Sequence, residues 1–269
     1  MVSPVTHPSR DGYGPAMVRY ERSEHVALIT LDRPEVRNAV HPPLAAALEA
    51  AIDRLEDDDD AWVGVLAAEG SVFCAGADLK AVAAGEVDGI ITPRNGFAGI
   101  CRRQGTKPII AAVDGPALAG GCEIVLACDL VVASTAAAFG IPEVKRSLIA
   151  ASGGLFRLGR KLPPNVAMAM ALTGDPITAK QAYVHGIVNE LVEPGTALEH
   201  AMTLARRISA NAPVAVRLSR RVLLEAPQAD DATAWRLSSA AYREVVATDD
   251  FQEGPRAFVE KRTPRWSGR

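Results

Sequence analysis

No cysteine in the sequence has a partner at CxxC spacing, and none stands with histidines at the intervals of a metal site. Cys74, Cys101, Cys122 and Cys128 therefore read as reduced core residues, with no metal and no disulfide framework expected. Nucleotide signatures are missing as well. No glycine loop has GxGxxG spacing and none ends in the Lys-Ser/Thr pair of a P-loop, which argues against NAD and ATP. There is no GxSxG elbow, and His7, His25, His41, His185 and His200 lie in a tail, loops and helix ends without an evident partner, so a histidine-based triad is not expected. Residues Met1 to Gly14 contain no apolar core of a signal peptide and read as a flexible tail over 1–15. The most apolar region, 109–133, is cut by Asp114, Glu123, Asp129 and a Gly-Pro pair, so no membrane span is expected. With a net charge of -3 there is no basic excess to meet nucleic acid. The expected location is cytoplasmic.

What is present is a chain of 269 residues with 48% hydrophobic content, enough for one large core. Val26–Leu31, Trp62–Ala68, Ile109–Val113 and Asp129–Ala133 are apolar runs of strand length, with a further short strand at 187–192. Leu44, Leu48, Ile52 and Leu55 recur at helical spacing. The segment 94–103 reads as a helix, and 81–92 as an Ala/Gly-rich helix and loop. Helices are expected near 152–158, 165–172 and 178–185, the last with Thr178 as its cap and Gly186 as its stop. The acidic run Glu56-Asp-Asp-Asp-Asp60 reads as a solvated turn. Beyond Pro194-Gly195 the texture becomes purely helical, over about 196–210, 213–225, 231–247 and 250–260. Strand-helix alternation up to 195 indicates an α/β body, residues 16–195, followed by a helical region, 196–269, suited to packing or assembly.

The stretch from Lys107 to Asp129 concentrates the chemistry. An apolar strand ends at Asp114-Gly115-Pro116, and a helix opens at Gly120-Gly121 and carries Glu123 on an otherwise apolar run. A helix N-terminus offers unpaired N–H groups and partial positive charge, which suits an anion or a developing oxyanion. A carboxylate one turn inside, among Ile124, Val125 and Leu126, is costly to ionise unless it lines a polar cavity. A second small-residue loop, 71–80, contains Ala77, and a second carboxylate, Glu143, follows Pro142. Adding water across a double bond conjugated to a carbonyl needs one group for the water, one for the proton at the α-carbon, and donors for the enolate oxygen. Two carboxylates and two backbone amides would suffice.

Arg37-Asn38-Ala39, Phe73–Leu79, Lys107–Asp129, Phe139–Glu143, Leu172–Asp175 and Phe258–Lys261 together resemble the crotonase (enoyl-CoA hydratase/isomerase) superfamily, in order and over nearly the whole chain. The resemblance implies a spiral of ββα units, with 16–195 as catalytic core and 196–269 as a trimerisation region, often in a dimer of trimers. It implies an acyl-CoA thioester substrate, so that coenzyme A comes with the substrate and is not a resident cofactor. By residue, it implies an oxyanion hole from the amides of Ala77 and Gly120, with Glu143 as α-proton acid/base and Glu123 as holder of the water. Arg37, Ala39, Ala75, Asp78 and Leu79 match positions lining the CoA site, and Lys261 matches a position that reaches a neighbouring copy's CoA phosphate. Two departures bear on the acyl pocket: Ile149-Ala-Ala-Ser-Gly-Gly154 replaces a more common Ile-Pro-Gly-Ala-Gly-Gly, and Ala119 stands where glycine is frequent. The retained pair of glutamates implies hydration or dehydration. The alternatives are an isomerase, which needs one base only, a dehydratase of a special acyl group, or a protein that binds acyl-CoA without turnover.

Overall fold

The computed structural model describes residues 17–269, so the expected tail lies outside the described residues. The body starts with β1 (Val18–Ser23) and β2 (Val26–Leu31), then α1 (Pro42–Asp57) and β3 (Val63–Ala68). Short helices α2 (Leu79–Ala83) and α3 (Val87–Ile90) lead to β4 (Ile91–Thr92) and β5 (Gly96–Phe97). Next come β6 (Ile109–Val113), β7 (Ala117–Leu118), α4 (Gly120–Ala127), β8 (Leu130–Ser134) and β9 (Ala138–Gly140). A 3-10 turn at Pro142–Arg146 precedes α5 (Gly154–Lys161), α6 (Pro164–Thr173), β10 (Ile177–Thr178), α7 (Ala179–Val184) and β11 (Glu190–Val192). The chain finishes with α8 (Ala197–Ser209), α9 (Pro213–Glu225), α10 (Asp231–Val246) and α11 (Asp249–Glu260).

The main sheet has the order β1-β2-β3-β6-β8-β11, and every pair except β1–β2 is parallel. Parallel strands are covered on both faces, which explains why their sequences run apolar without alternation. In β6, Ile109, Ala111 and Val113 face the core built with α1 and α4, while Ile110 and Ala112 join a second core under α8. Fully buried Ala197, Ala201 and Ala205 put small side chains at one-turn intervals, which lets α8 lie close against the sheet. The first helix beyond residue 195 is therefore part of the sheet's cover. A smaller sheet, β10-β9-β7, stands at the end of β6 where α4 begins.

The segment 94–103 is not a helix. It contributes β5, paired antiparallel with β4 just before it, and the turns that follow, with Gly96, Ala98 and Gly99 all at positive φ. Its apolar spacing reflects packing onto α1: a Cβ on Gly99 would stand 2.5 Å from the Cβ of Glu49. Lys107, fully inside, donates through Nζ to the carbonyls of Leu55 (2.7 Å) and Asp58 (2.6 Å) and so closes the C-terminus of α1. The expected solvated turn is realised only at 58–60, since Glu56 and Asp57 are the last residues of α1; Asp58 and Asp60 pair with Arg22.

Candidate active site

Three loops meet at the start of α4, and their meeting follows from small residues and one buried amide. Asn38, wholly buried, donates through its side chain to the carbonyls of Glu69 and Val72, each at 2.9 Å, and accepts from the Arg33 amide at 2.8 Å. This fixes the 33–40 loop on the 69–78 loop. The two then run together through bonds from Val40 to Gly76, from Asp78 to Val40 and from Ala75 to Arg37. Cys74 in turn bridges to Ala117, and its carbonyl accepts from Leu118. Gly76 (φ 92) comes so near α4 that a Cβ on it would be 2.8 Å from the Cβ of Ala119 and 2.9 Å from the nitrogen of Gly120. The loop of Ala77 and the N-terminus of α4 are thus adjacent.

At that terminus the glycines make room for other parts of the protein. A Cβ on Gly121 would lie 2.1 Å from the carbonyl oxygen of Cys74, and one on Gly120 would lie 2.4 Å from the ring of Phe97. Phe97, absent from the sequence reading, is therefore a wall of the site. Ala119 takes φ 51 and ψ -129, a backbone that glycine adopts more readily, and its carbonyl receives the amides of Cys122 and Glu123. Among the described residues, no hydrogen bond within the protein engages the amides of Ala77 or Gly120. Such amides at a helix start can receive developing negative charge.

Glu123 is 3% exposed, so its carboxyl lies inside the protein and not on the solvent side of α4. Its Oε1 accepts from the Gly154 amide at 2.9 Å. Burial pushes its carboxyl up to about 7; the Gly154 amide opposes the rise, the neighbouring Glu143 adds to it, and Ser152 and Arg157 oppose it more weakly. Glu143 is also raised, by burial first, with its own backbone and Arg146 holding it down. Its Oε2 is buried without a protein partner. Burial thus favours the protonated form of both carboxyls, and the charge of Glu143 adds to that effect at Glu123. By contrast, burial raises the thiols of Cys74, Cys122 and Cys128 to about 12, which leaves them inert.

The other residues singled out by sequence fall into two places. Ala39, Ala75, Ala77, Asp78 and Leu79 are brought together on the two joined loops with Arg37, which is exposed at φ 57 and has no ion pair among the described residues. Asp78 is already committed: its carboxylate pairs with Arg33 at 3.0 Å and caps α2 through the Lys80 amide. Burial would raise it, but those bonds hold it below the usual carboxylate range. Lys261 stands apart. It ends α11 as an exposed residue at φ 55, with no hydrogen bond or ion pair to either loop. The chain after it folds back toward Trp62, at the opposite end of β3 from the 69–78 loop.

A family model described as enoyl-CoA hydratase/isomerase matches residues 21–269. The chain belongs to that family. Enoyl-CoA hydratase EchA19 of Mycobacterium tuberculosis is 40% identical over 254 residues, covering 93% of this chain and 96% of its own. The mevalonyl-coenzyme A hydratase sidH of Aspergillus fumigatus is 39% identical over 272 residues, covering 98% of each. A crystal structure of enoyl-CoA hydratase from M. tuberculosis H37Rv superposes with a TM-score of 0.91 at 43% identity, over 95% of this chain and 100% of that one. The fold is the crotonase fold, as the ordered motifs implied. The family model's description covers hydratases and isomerases of enoyl-CoA thioesters, and both of these relatives are named as hydratases. No helix among the described residues is long and apolar enough to cross a membrane.

Proposed function

We propose that this protein hydrates a trans-2-enoyl-CoA reversibly to the 3-hydroxyacyl-CoA. The observation that carries the reading is the pair of carboxyls raised by burial, Glu123 inside and Glu143 half-buried with one oxygen unpartnered, beside the unengaged amides at the start of α4. Ionised Glu123, oriented by Gly154, accepts a proton from the water as its oxygen adds to C3. The electrons of the C2–C3 double bond move into the thioester carbonyl, and the enolate oxygen is received by the Ala77 and Gly120 amides. Glu143, protonated, then delivers its proton to C2, and exchange with solvent returns the proton from Glu123 to Glu143. One oxyanion donor is worth about 2.7–4 kcal/mol, so rigid amides on packed small residues are effective here. Arg37 offers a free guanidinium to a CoA phosphate, with Ala39, Ala75, Asp78 and Leu79 shaping the cleft beside it. Lys261 would serve a neighbouring copy. Exposed Phe258 (86%), Val259 (79%) and Trp235 (74%) on α10 and α11 fit burial in a homotrimer or homohexamer.

Crotonyl-CoA tests the reading. The purified protein should remove the enoyl absorbance, and Glu143→Gln should lower kcat by about 10²–10⁴-fold. An unaffected variant would sink the assignment. A second reading, hydration or dehydration of a branched or polar acyl group, is favoured by the changed 149–154 segment, where Ile149 is 67% exposed. A panel of thioesters analysed by mass spectrometry in heavy-oxygen water separates the two. Tight binding without product or α-proton exchange would instead identify a carrier.

A further inference from the structure

Glu123 is only as well placed as the turn that holds it, and that turn is unusual. Gly153 adopts φ 107, and the Gly154 amide that it presents is the one bonded to Glu123. A side chain at either position would have to displace a neighbour. A Cβ on Gly154 would be 3.1 Å from Glu123 Oε1, and one on Gly153 would be 2.0 Å from a terminal nitrogen of Arg157. Arg157, half-buried on α5, fills the space that Gly153 leaves. One terminal nitrogen donates to the Ser152 carbonyl at 3.2 Å and the other donates to the Cys101 carbonyl at 2.6 Å. The guanidinium therefore joins the glycine turn to the turn after β5, and Phe97 and Cys101 both belong to that second wall of the site.

We propose that Arg157 is a positioning residue for the hydration step: its planar fork ties the Ser152 and Cys101 carbonyls together, fixing the 152–154 turn so that the Gly154 amide meets Glu123. The role rests on the hydratase reading for its kinetic consequences but not for the geometry itself. A lysine would keep the charge and lose the two-carbonyl span, because an ammonium lacks the rigid fork. Misplacing a reacting group by about 1 Å is enough for a 10²-fold loss of rate. The charge has a second effect. The groups facing Glu123 are Glu143 from the turn after β9, Arg157 from α5, and the thiols of Cys101 and Cys122, with Arg146 beside Glu143. Of these, Arg157 is the cation acting on Glu123, and it favours the ionised form that accepts from water.

The test uses the full chain as wild type, Arg157→Met, Arg157→Lys and Gly153→Ala, with two readouts: hydrogen exchange of the Gly154 amide, and kcat and KM for crotonyl-CoA across pH. Arg157→Met should speed Gly154 exchange, lower kcat by about 10²-fold with KM little changed, and move the acid limb of kcat upward in pH. Arg157→Lys should restore the limb and stay slow. Gly153→Ala, which both displaces the guanidinium and strains a backbone held at φ 107, should reproduce the fast exchange and low kcat. Wild-type exchange and an unmoved limb in Arg157→Met would overturn the proposal, as would full recovery of kcat in Arg157→Lys. Should Arg157→Met fail to fold, Arg157→Lys decides: slow turnover with a restored limb supports the role, and full recovery of kcat overturns it. If the wild type hydrates nothing, the hydratase reading falls, while exchange at Gly154 still decides the positioning role.

Discussion

Burying Glu123 makes stability and catalysis pull in opposite directions, and the size of the conflict follows from its carboxyl. The group titrates near 7 in the folded protein against an ordinary 4.5. The sign is set by which state holds the proton. A raised carboxyl binds its proton more tightly when folded, so its contribution to stability is full below about pH 4.5 and is lost as pH rises through about 7. Between pH 5 and pH 8 the loss amounts to about 2.5 kcal/mol for this one group. Glu123→Gln has nearly the same shape, keeps an oxygen for the Gly154 amide and does not titrate. The difference in unfolding free energy, variant minus wild type, should therefore grow by about 2.5 kcal/mol from pH 5 to pH 8 in favour of the variant. Urea unfolding of both proteins at one protein concentration measures it, because any assembly makes stability depend on concentration. Hydration of crotonyl-CoA should fall in the same variant. A difference that is equal at the two pH values would refute the claim that Glu123 is held in a strained, water-poor site.

Two other outcomes follow from the packing. Gly120→Ala drives a methyl into the ring of Phe97 (2.4 Å) and should lower kcat with modest destabilisation of about 1–3 kcal/mol; adding Phe97→Ala should recover part of both, and a strictly additive double mutant would show that the ring is not the obstacle. Arg220 on α9 donates to Asp129 at 2.8 Å and to the Gly105 carbonyl at 2.7 Å. Arg220→Ala should lower Tm, by up to about 3 kcal/mol of stability since Asp129 keeps Arg103, and should leave KM for the thioester unchanged; an unshifted melting curve would mean that α9 is held by other contacts.

The sequence was most legible where one physical demand dominated. Strands β2, β3, β6 and β8 are buried on both faces, so their apolar runs could hardly mean anything else. Thr178 forms a capping box with Gln181, and Gly186 follows α7 at φ 86, because caps are local chemistry written in adjacent residues. The segment 94–103 shows the opposite case. Its apolar residues serve contacts to α1 and to Gly120, far away in sequence, and periodicity cannot tell such contacts from a helix face. Strand β1 carries no clear apolar run for a related reason: it is a sheet edge paired only with β2, so charged residues are interspersed with Val18 and Tyr20.

The site divides along the same line. Glu123 declared itself as a carboxylate among apolar neighbours, and Gly120-Gly121 marked a close approach. What the glycines approach was hidden, because Phe97 and the Cys74 carbonyl reach them only in the fold. Arg157 was invisible for a sharper reason. An arginine in an Arg/Lys-bearing amphipathic helix reads as solvated surface, and α5 does end in exposed Arg160 and Lys161. Only the missing Cβ of Gly153 and the two carbonyls converging on one guanidinium separate it from its neighbours. The carboxylates are thus read from their own side chains, whereas the residues that aim them are read from the spaces other residues leave.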